Sequence, residues 1–221
     1  AKRRSTDFMK TFPALLFFCV VFCLCGADKK KDAGFVSLFD GKPLRGWEGK
    51  KEFFRVEGGA IVAGFLDKKI PNNEFLVSKK EYADFEMSFE AKLIGQGNNA
   101  GVQFRSQRIP KHHEMIGYQC DIGGWSKGTI WGFLYDESRR RKMLAQAPQE
   151  QVNSWVKPKG EWNKLKIWTK GPSIKIWLNG QQTVDFKETQ TNIPLTGFLG
   201  LQIHSGPPLE CHYRNIELKN L

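Results

Sequence analysis

Three short segments of the chain repeat one spacing: a glycine, a glutamine two positions later, and an ionisable residue two positions after that. The segments are 101–105, 117–121 and 200–204, and they end in arginine, aspartate and histidine, respectively. The residues between are apolar or aromatic, so in a β-strand the three repeated positions lie on the same face. Amide, guanidinium, carboxylate and imidazole groups make directed hydrogen bonds, which suits a ligand rich in hydroxyl groups.

Each segment taken alone also fits an ordinary solvent-facing strand that lacks lysine and glutamate. Three repeats favour a binding or catalytic site, provided that the strands share one sheet. We therefore expect Arg105, Asp121 and His204 to converge on one face. The glycines on that face would let a ligand ring approach the backbone.

The elements that must position these residues are short β-type runs separated by turn signals. Residues 85–93 alternate cleanly between apolar and polar side chains, and Asn179-Gly180 is a strong hairpin signal. No long window has helical periodicity. The pattern predicts an all-β sandwich or jelly roll with no helix and no second domain. The predicted strands are 35–39, 60–63, 85–93, 101–106, 116–123, 129–135, 164–170, 173–178, 183–186, 198–204 and 211–218.

The N-terminal region is typical of a secretory signal. Lys10 precedes an unbroken apolar stretch, residues 12–25, that ends in Gly26 and Ala27. The stretch is shorter than the ~20 residues of a spanning helix. We predict a signal peptide over 1–27, a charged linker over 28–33 and one domain over 34–221, in a protein exported to the periplasm or the extracellular space. Lipoprotein anchoring at the signal cysteines is a weaker alternative.

The charge and cysteine content narrow the possible partners. The formal charge of +11 falls to +8 without residues 1–27, because four basic side chains and one acidic side chain are removed. Basic surface is the only support for nucleic-acid binding, so we predict no nucleic-acid partner, and no stable membrane insertion after signal removal. Cys120 and Cys211 remain in the domain, either as one disulfide or as two separate buried thiols. The sequence makes no prediction of oligomeric state.

Longer motifs carry a family resemblance. At NNAGVQFRSQ, GYQCDIGGWSKGTIWGFLYDESRR, GEWNKLKIWTKGPSIKIWLNGQQTVDF and GFLGLQIHSGPPLECHYRNIEL the chain resembles the 3-keto-disaccharide hydrolase family, and LFDGKPLRGW also matches. The resemblance spans nearly all of residues 34–221. It implies a concanavalin A-like jelly roll of two antiparallel sheets, and activity on glycosides already oxidised to a ketone at sugar carbon 3. The matching positions are Asn99, Arg105, Gln119, Asp121, Tyr135, Asp136, Glu137, Trp162, Asn163, Gln202, His204 and Asn215.

The implied chemistry assigns roles to the ionisable residues. A ketone at carbon 3 acidifies the proton on carbon 2, and its removal gives an enolate that can expel the aglycone from carbon 1 before water adds. His204 is the first candidate base, because imidazole titrates near neutrality. Asp121 can orient that imidazole, act as the base itself or bind a metal ion. Arg105 is the expected partner of the oxyanion, and Tyr135 or Glu137 would protonate the leaving group.

The remaining candidates would bind substrate. The amides Gln103, Gln119, Gln202 and Asn99 would hold hydroxyl groups. Trp125 either stacks on a sugar ring or fills a hydrophobic corner. A divalent metal ion is an open option as cofactor, because no ligand spacing requires one. The alternative function is a non-catalytic carbohydrate-binding module.

Overall fold

The computed structural model of the chain describes residues 34–126 and 128–221. The signal peptide and linker predicted for residues 1–33 lie outside these ranges, and both stay predictions. Among the described residues, no helix has the length and apolar character needed to cross a membrane.

The described residues form sixteen strands and one short helix. In chain order they are β1 (Val36–Ser37), β2 (Trp47–Glu48), β3 (Phe54–Glu57), β4 (Ala60–Phe65), β5 (Glu74–Tyr82), β6 (Phe85–Gly95), β7 (Asn99–Arg108), β8 (Met115–Trp125), β9 (Gly128–Thr129), β10 (Leu134–Glu137), β11 (Lys142–Ala145), α1 (Gln149–Trp155), β12 (Asn163–Lys170), β13 (Ser173–Leu178), β14 (Gln181–Lys187), β15 (Gly197–Ile203) and β16 (Leu209–Asn220).

The strands form two antiparallel sheets that enclose one hydrophobic core. The first sheet runs β14-β13-β12-β6-β16-β4-β3, with β1 paired to β16. The second runs β11-β10-β8-β7-β15-β5-β2, with β9 paired to β8. This confirms the predicted jelly-roll sandwich of two antiparallel sheets.

Alternation along the strands fixes which face is buried, as the sequence predicts. In β6 the residues Phe85, Met87 and Phe89 are buried while those between them are partly exposed. The Asn179-Gly180 pair joins β13 to β14 as a two-residue hairpin, with Leu178 opposite Gln181. Both turn residues have positive φ, of 49° and 88°, as a type I′ turn requires.

Two local predictions were wrong. The chain has a helix, α1, whose seven residues are too few to give a readable period and which buries only Val152. The run 129–135 is two short strands separated by a turn at Gly132, where φ is 73°. In addition, β5 was not predicted, because its outer half carries the charged stretch Lys79–Glu81.

The core holds both domain cysteines as separate thiols. Cys120 and Cys211 are free and fully buried, so the two-thiol alternative is the correct one. Near them Tyr213 of β16 crosses the core and its hydroxyl donates to the Gln202 carbonyl oxygen at 2.6 Å. The Gly101 carbonyl oxygen lies 3.1 Å from the same hydroxyl. This contact ties the first sheet to the backbone of β7 and β15 in the second.

Candidate functional site

The strands β8, β7 and β15 are neighbours in the second sheet, so the condition on which the predicted site depends is met. Gly101 lies directly opposite Asp121 on one side and Gln202 on the other. Gln103 lies opposite Gln119. Directly opposed residues point to the same side of a sheet, so these side chains share the side that faces away from the core. We call Gln103, Gln119, Asp121 and Gln202 the polar face.

A chain of hydrogen bonds runs along the polar face and ends at Asp121. The Ser106 hydroxyl donates to Gln103 Oε1 at 2.6 Å. Gln103 Nε2 donates to Gln119 Oε1 at 3.0 Å. Gln119 Nε2 in turn donates to Asp121 Oδ1 at 2.8 Å. Each amide is held at both ends, so the chain fixes the position of the carboxyl group.

Asp121 is a buried carboxyl group with one oxygen free to act. The residue is 2% exposed, and Oδ2 has no hydrogen-bond partner within the described part of the chain. Burial raises the pKa of Asp121 well above its ordinary value, and the nearby charge of Glu137 raises it further. The Gln119 hydrogen bond acts in the opposite direction. A carboxyl group with a raised pKa suits proton transfer near neutral pH.

Two further side-chain amides of this sheet have buried atoms without a partner among the described residues. Gln202 is fully buried, and neither its Oε1 nor its Nε2 has a partner among the described residues. Asn99 Oδ1 is likewise buried without a partner in residues 34–126 and 128–221. Leaving a buried amide unpaired costs about 1–3 kcal/mol. Such groups on one face therefore point to a polar ligand.

The Gln119 side chain lies between Asp121 and Gln202. Asp121 and Gln202 lie on either side of Gly101, so their Cα atoms are about 10 Å apart, two strand spacings. The Gln119 amide lies over Gly101 between them, because a Cβ on Gly101 would be 2.6 Å from Gln119 Cδ.

The glycines of the pattern leave space for neighbouring side chains, not for a ligand ring. A Cβ on Gly101 would meet Gln119, one on Gly200 would lie 2.5 Å from Met115 Sδ, and one on Gly117 would lie 2.2 Å from Ser106 Oγ. The expectation that they let a ring reach the backbone was therefore wrong. They instead allow these side chains to lie flat across the sheet.

Arg105 does not lie on the polar face, and this placement corrects the prediction. The pairing of β7 with β8 shifts register between Phe104 and Gln107, and Arg105 sits in that irregularity with φ of 47°. Its side chain is fully buried and donates to the Ala83 and Gly171 carbonyl oxygens and to Asp84 Oδ1. The alternation rule fails here because a β-bulge reverses the side on which the next side chain points.

His204 lies immediately after β15, beyond Gln202, and is partly buried. Its Nδ1 is 2.7 Å from the Ser205 carbonyl oxygen. The imidazole contact is therefore with its own loop, and no hydrogen bond joins His204 to Asp121 in the described ranges. Asp121 does not orient this ring.

Strand β10 adds two further predicted residues. Tyr135 lies opposite Gln119 and Glu137 lies opposite Gly117. Burial raises the pKa of Tyr135, and the charges of Glu137 and Asp121 add to this effect. Burial and the charge of Glu114 raise the pKa of Glu137. Trp125 is 43% exposed and packs edge to face on Tyr135, with ring centroids 5.9 Å apart.

The turn between β7 and β8 supplies residues that sequence reasoning missed. Glu114 Oε1 accepts a hydrogen bond from Asn73 Nδ2 at 2.9 Å, and Asn73 Oδ1 accepts one from the Ser205 amide at 2.8 Å. Asn73 therefore joins this turn to the loop of His204. Met115 packs with Phe75 and Val77 of β5, so the end of the hairpin lies across the sheet. The only sequence signal is Gly117, whose φ of 148° marks the bend.

Four of the positions named by the family resemblance have structural contacts away from the polar face. Asp136 is fully buried and paired with Arg139 and Arg140. Trp162 packs against His212 and Arg214 of the first sheet. Asn163 Oδ1 accepts hydrogen bonds from the Lys157 amide and Asn179 Nδ2, and Asn215 has φ of 51° at an irregularity in β16.

Metal ligands are not grouped in the described residues. In residues 34–126 and 128–221, no cluster of three or more His, Cys, Asp or Glu side chains is arranged to hold a metal ion. A divalent metal ion as cofactor therefore stays an open option, as in the sequence analysis.

A family model matches most of the chain. The family is described as the 3-keto-alpha-glucoside-1,2-lyase-like domain, and the match covers residues 34–219.

Individual proteins also match at low identity, and the solved structures among them show a similar fold. A curated relative from Bacteroides thetaiotaomicron, named 3-keto-disaccharide hydrolase, is 23% identical over 243 residues, covering 85% of this chain and 79% of the relative. A crystal structure from Parabacteroides distasonis, provisionally named a glycosyl hydrolase, is 22% identical with a TM-score of 0.62, covering 85% and 94% of the two chains. The carbohydrate-binding module CBM66 from Bacillus subtilis is 14% identical with a TM-score of 0.54, covering 79% and 96%.

Proposed function

The chain belongs to the family of 3-keto-alpha-glucoside-1,2-lyase-like domains, and from that premise we propose that it is a carbohydrate-active enzyme that cleaves 3-keto-glycosides. The proposed route is elimination followed by hydration. A base takes the proton from carbon 2, the enolate expels the aglycone from carbon 1, and an unsaturated ketone forms. Water then adds at carbon 1 and a proton returns to carbon 2, so the net reaction is hydrolysis.

Asp121 is the proposed base, and the observation that carries the proposal is its unpaired Oδ2. The carboxyl group is buried, and its other oxygen is held by the chain from Ser106 through Gln103 and Gln119. A fixed, desolvated base needs little rearrangement before it takes a proton. His204 was the first candidate from sequence. We now prefer Asp121 to His204 as the base, because His204 Nδ1 contacts the Ser205 carbonyl oxygen.

The oxyanion on the ketone needs a hydrogen-bond donor. Arg105 is not available for this, because its guanidinium already donates to Asp84 and to two backbone carbonyl oxygens. We propose Gln202 for this role. Its Nε2 is buried and makes no hydrogen bond to the described residues, and it lies across Gly101 from Asp121. A donor placed in advance, away from water, stabilises developing negative charge.

The leaving group needs an acid, and Glu137 is the proposed donor with Tyr135 beside it. Burial and the charge of Glu114 raise the pKa of Glu137, so its carboxyl group keeps a proton to higher pH than an ordinary glutamate. The assignment of base and acid rests on the fixed position of Asp121, because burial raises the pKa of both carboxyl groups. Gln103 and Gln119 would orient hydroxyl groups.

Export belongs to the same proposal, and the N-terminal charged and apolar pattern supports it. The protein would act in the periplasm or outside the cell. Mass spectrometry of the protein from culture fractions should find a mature chain that starts near residue 28. An intact N-terminus on cytoplasmic protein would contradict export.

Turnover of a 3-keto-glucoside and of its unoxidised counterpart tests the function. We expect cleavage of the keto compound only. Asp121→Asn should lower kcat/KM about 10²- to 10⁴-fold, the usual contribution of acid–base catalysis. Asp185→Asn is the matched control, because Asp185 pairs with Lys175 on the outer side of the first sheet, and it should leave kcat/KM unchanged.

Sugar binding without catalysis is the second candidate, favoured by the similarity of fold to a carbohydrate-binding module. The same experiment separates the two. Saturable binding of a keto-glucoside without turnover, both with and without added divalent metal ions, would support the binding-module hypothesis and contradict the enzyme hypothesis.

A further inference from the structure

A hollow lies beside the loop that follows β15, and its lining contains none of the residues given a role so far. Its volume is about 700 Å³. Its apolar walls are Phe53, Phe65, Ile70 and Pro71. The rings of Phe53 and Phe65 are tilted against each other with centroids 5.2 Å apart. Partly exposed aromatic rings of this kind offer stacking surface to a flat ligand.

The charged residues at this hollow are mostly cationic. Lys68 and Lys69 line it, and neither forms a salt bridge within the described residues, while Glu52 is the one carboxylate in its lining. Lys68 Nζ lies 4.1 Å from the centroid of the Phe65 ring. Lys50 is nearby, but its charge is compensated by Glu74 at 2.5 Å. A ligand with negative charge therefore complements the hollow.

The hollow is continuous with the loop that carries His204. Ser205 and Gly206 form part of its wall. Gly206 is fixed by two backbone hydrogen bonds to Ile70, each 2.9 Å long, and the Ser205 amide donates to Asn73. A substrate whose sugar lies on the polar face can thus extend past His204 into the hollow.

We infer that this hollow binds the aglycone, and that the preferred aglycone is an aromatic ring that carries a carboxylate. The inference rests on the proposed function, because it names the second half of the same substrate. The lining contains no Asn or Gln side chain, whereas the polar face presents several. Amides suit hydroxyl groups, so the hollow is the less suitable of the two places for a second sugar ring.

Substrate comparison is the first test. The 3-keto-glucosides of 4-hydroxybenzoate, phenol and methanol should be cleaved with kcat/KM falling in that order. Lys68→Gln with Lys69→Gln should lower kcat/KM for the benzoate about two- to fivefold, as expected for exposed charge pairs, and leave the methyl glycoside unchanged. Phe65→Ala should lower kcat/KM for both aryl glycosides. Lys166→Gln is the matched control, since Lys166 lies 4.0 Å from the Trp177 ring on the first sheet.

Binding of free 4-hydroxybenzoate, followed by NMR titration, is the second test and needs no catalysis. Saturable binding that weakens with added salt, and weakens further in the double lysine variant, supports the inference. If keto-glycosides are cleaved but the methyl compound is as good as the aryl compounds, the inference fails and the proposed function stands. If benzoate binds but no keto-glycoside is cleaved, the proposed function fails and the aglycone role falls with it.

Discussion

Asp121 combines a buried position with incomplete hydrogen bonding, and this combination has an energetic cost. Its pKa is raised mainly by burial, so the folded protein holds this proton more tightly than the unfolded chain does. The stability that comes from this group is therefore fully present below the ordinary aspartate range. It is lost as the pH rises toward the raised pKa of the folded state. Sites that work by proton transfer often carry such costs.

Replacement by asparagine should remove this cost. We expect Asp121→Asn to be more stable than the wild type at pH 7 by ~1 kcal/mol or more, because one pKa unit corresponds to ~1.4 kcal/mol. The difference should shrink toward pH 3, where both side chains are neutral. Urea unfolding at several pH values measures it. A variant that is less stable at pH 7 would show that the carboxylate is well solvated or paired.

Arg105 illustrates the limit of reading single residues from a pattern. Its alternation with Val102 and Phe104 places it outward, yet its guanidinium is buried against Ala83, Asp84 and Gly171. The cause is the register shift after Phe104, which no residue type in the segment announces. In contrast, Gln103, Gln119, Asp121 and Gln202 lie in stretches where the pairing between strands is regular, and alternation placed them on one face.

We expect Arg105→Lys to impair stability rather than chemistry. A lysine cannot replace the three-way contact of the guanidinium, and the loss should be about 2–4 kcal/mol. Chemical unfolding measures the loss, and kcat/KM of the folded protein should stay within about twofold of the wild type. A stable variant with greatly reduced turnover would instead show that Arg105 takes part in the reaction.

At the scale of elements, the hairpin of β7 and β8 decides the geometry of the site. It carries Gln103, Gln119 and Asp121, and its far end brings Glu114 to Asn73 beside the His204 loop. Its strands could be predicted from alternation. Its bend could not, since it depends on a close approach of Gly117 to Ser106.

Gly117→Ala tests this bend. The added methyl would lie 2.2 Å from Ser106 Oγ, and φ is 148°. We expect a loss of more than about 2 kcal/mol, because overpacking and backbone strain add together. Gly58→Ala is the control, as φ is also positive there but nothing lies within 4 Å of the added atom, and it should cost only about 1 kcal/mol. Thermal unfolding measures both, and equal losses would contradict the role of the bend.

At the scale of the molecule, the two outward faces of the sandwich differ in kind. The first sheet presents ion pairs such as Lys166–Glu86 and Arg214–Glu90, which are typical of a solvated surface. The second presents amides and a carboxyl group with unpaired buried atoms. The sequence predicted this difference and the sandwich itself, because both follow from alternation. Cross-core contacts such as Tyr213 to Gln202 could not be predicted, since they need the relative position of two sheets.

The central claim is that Asp121 removes the proton on carbon 2 of a 3-keto-glycoside. Cleavage of a 3-keto-glucoside in D₂O, followed by NMR, tests it most directly, with the product incubated alone to measure uncatalysed exchange. We predict that the wild type gives product with deuterium at carbon 2 and that Asp121→Asn gives almost no product. Product that keeps its original hydrogen at carbon 2, or wild-type turnover by Asp121→Asn, would contradict the account.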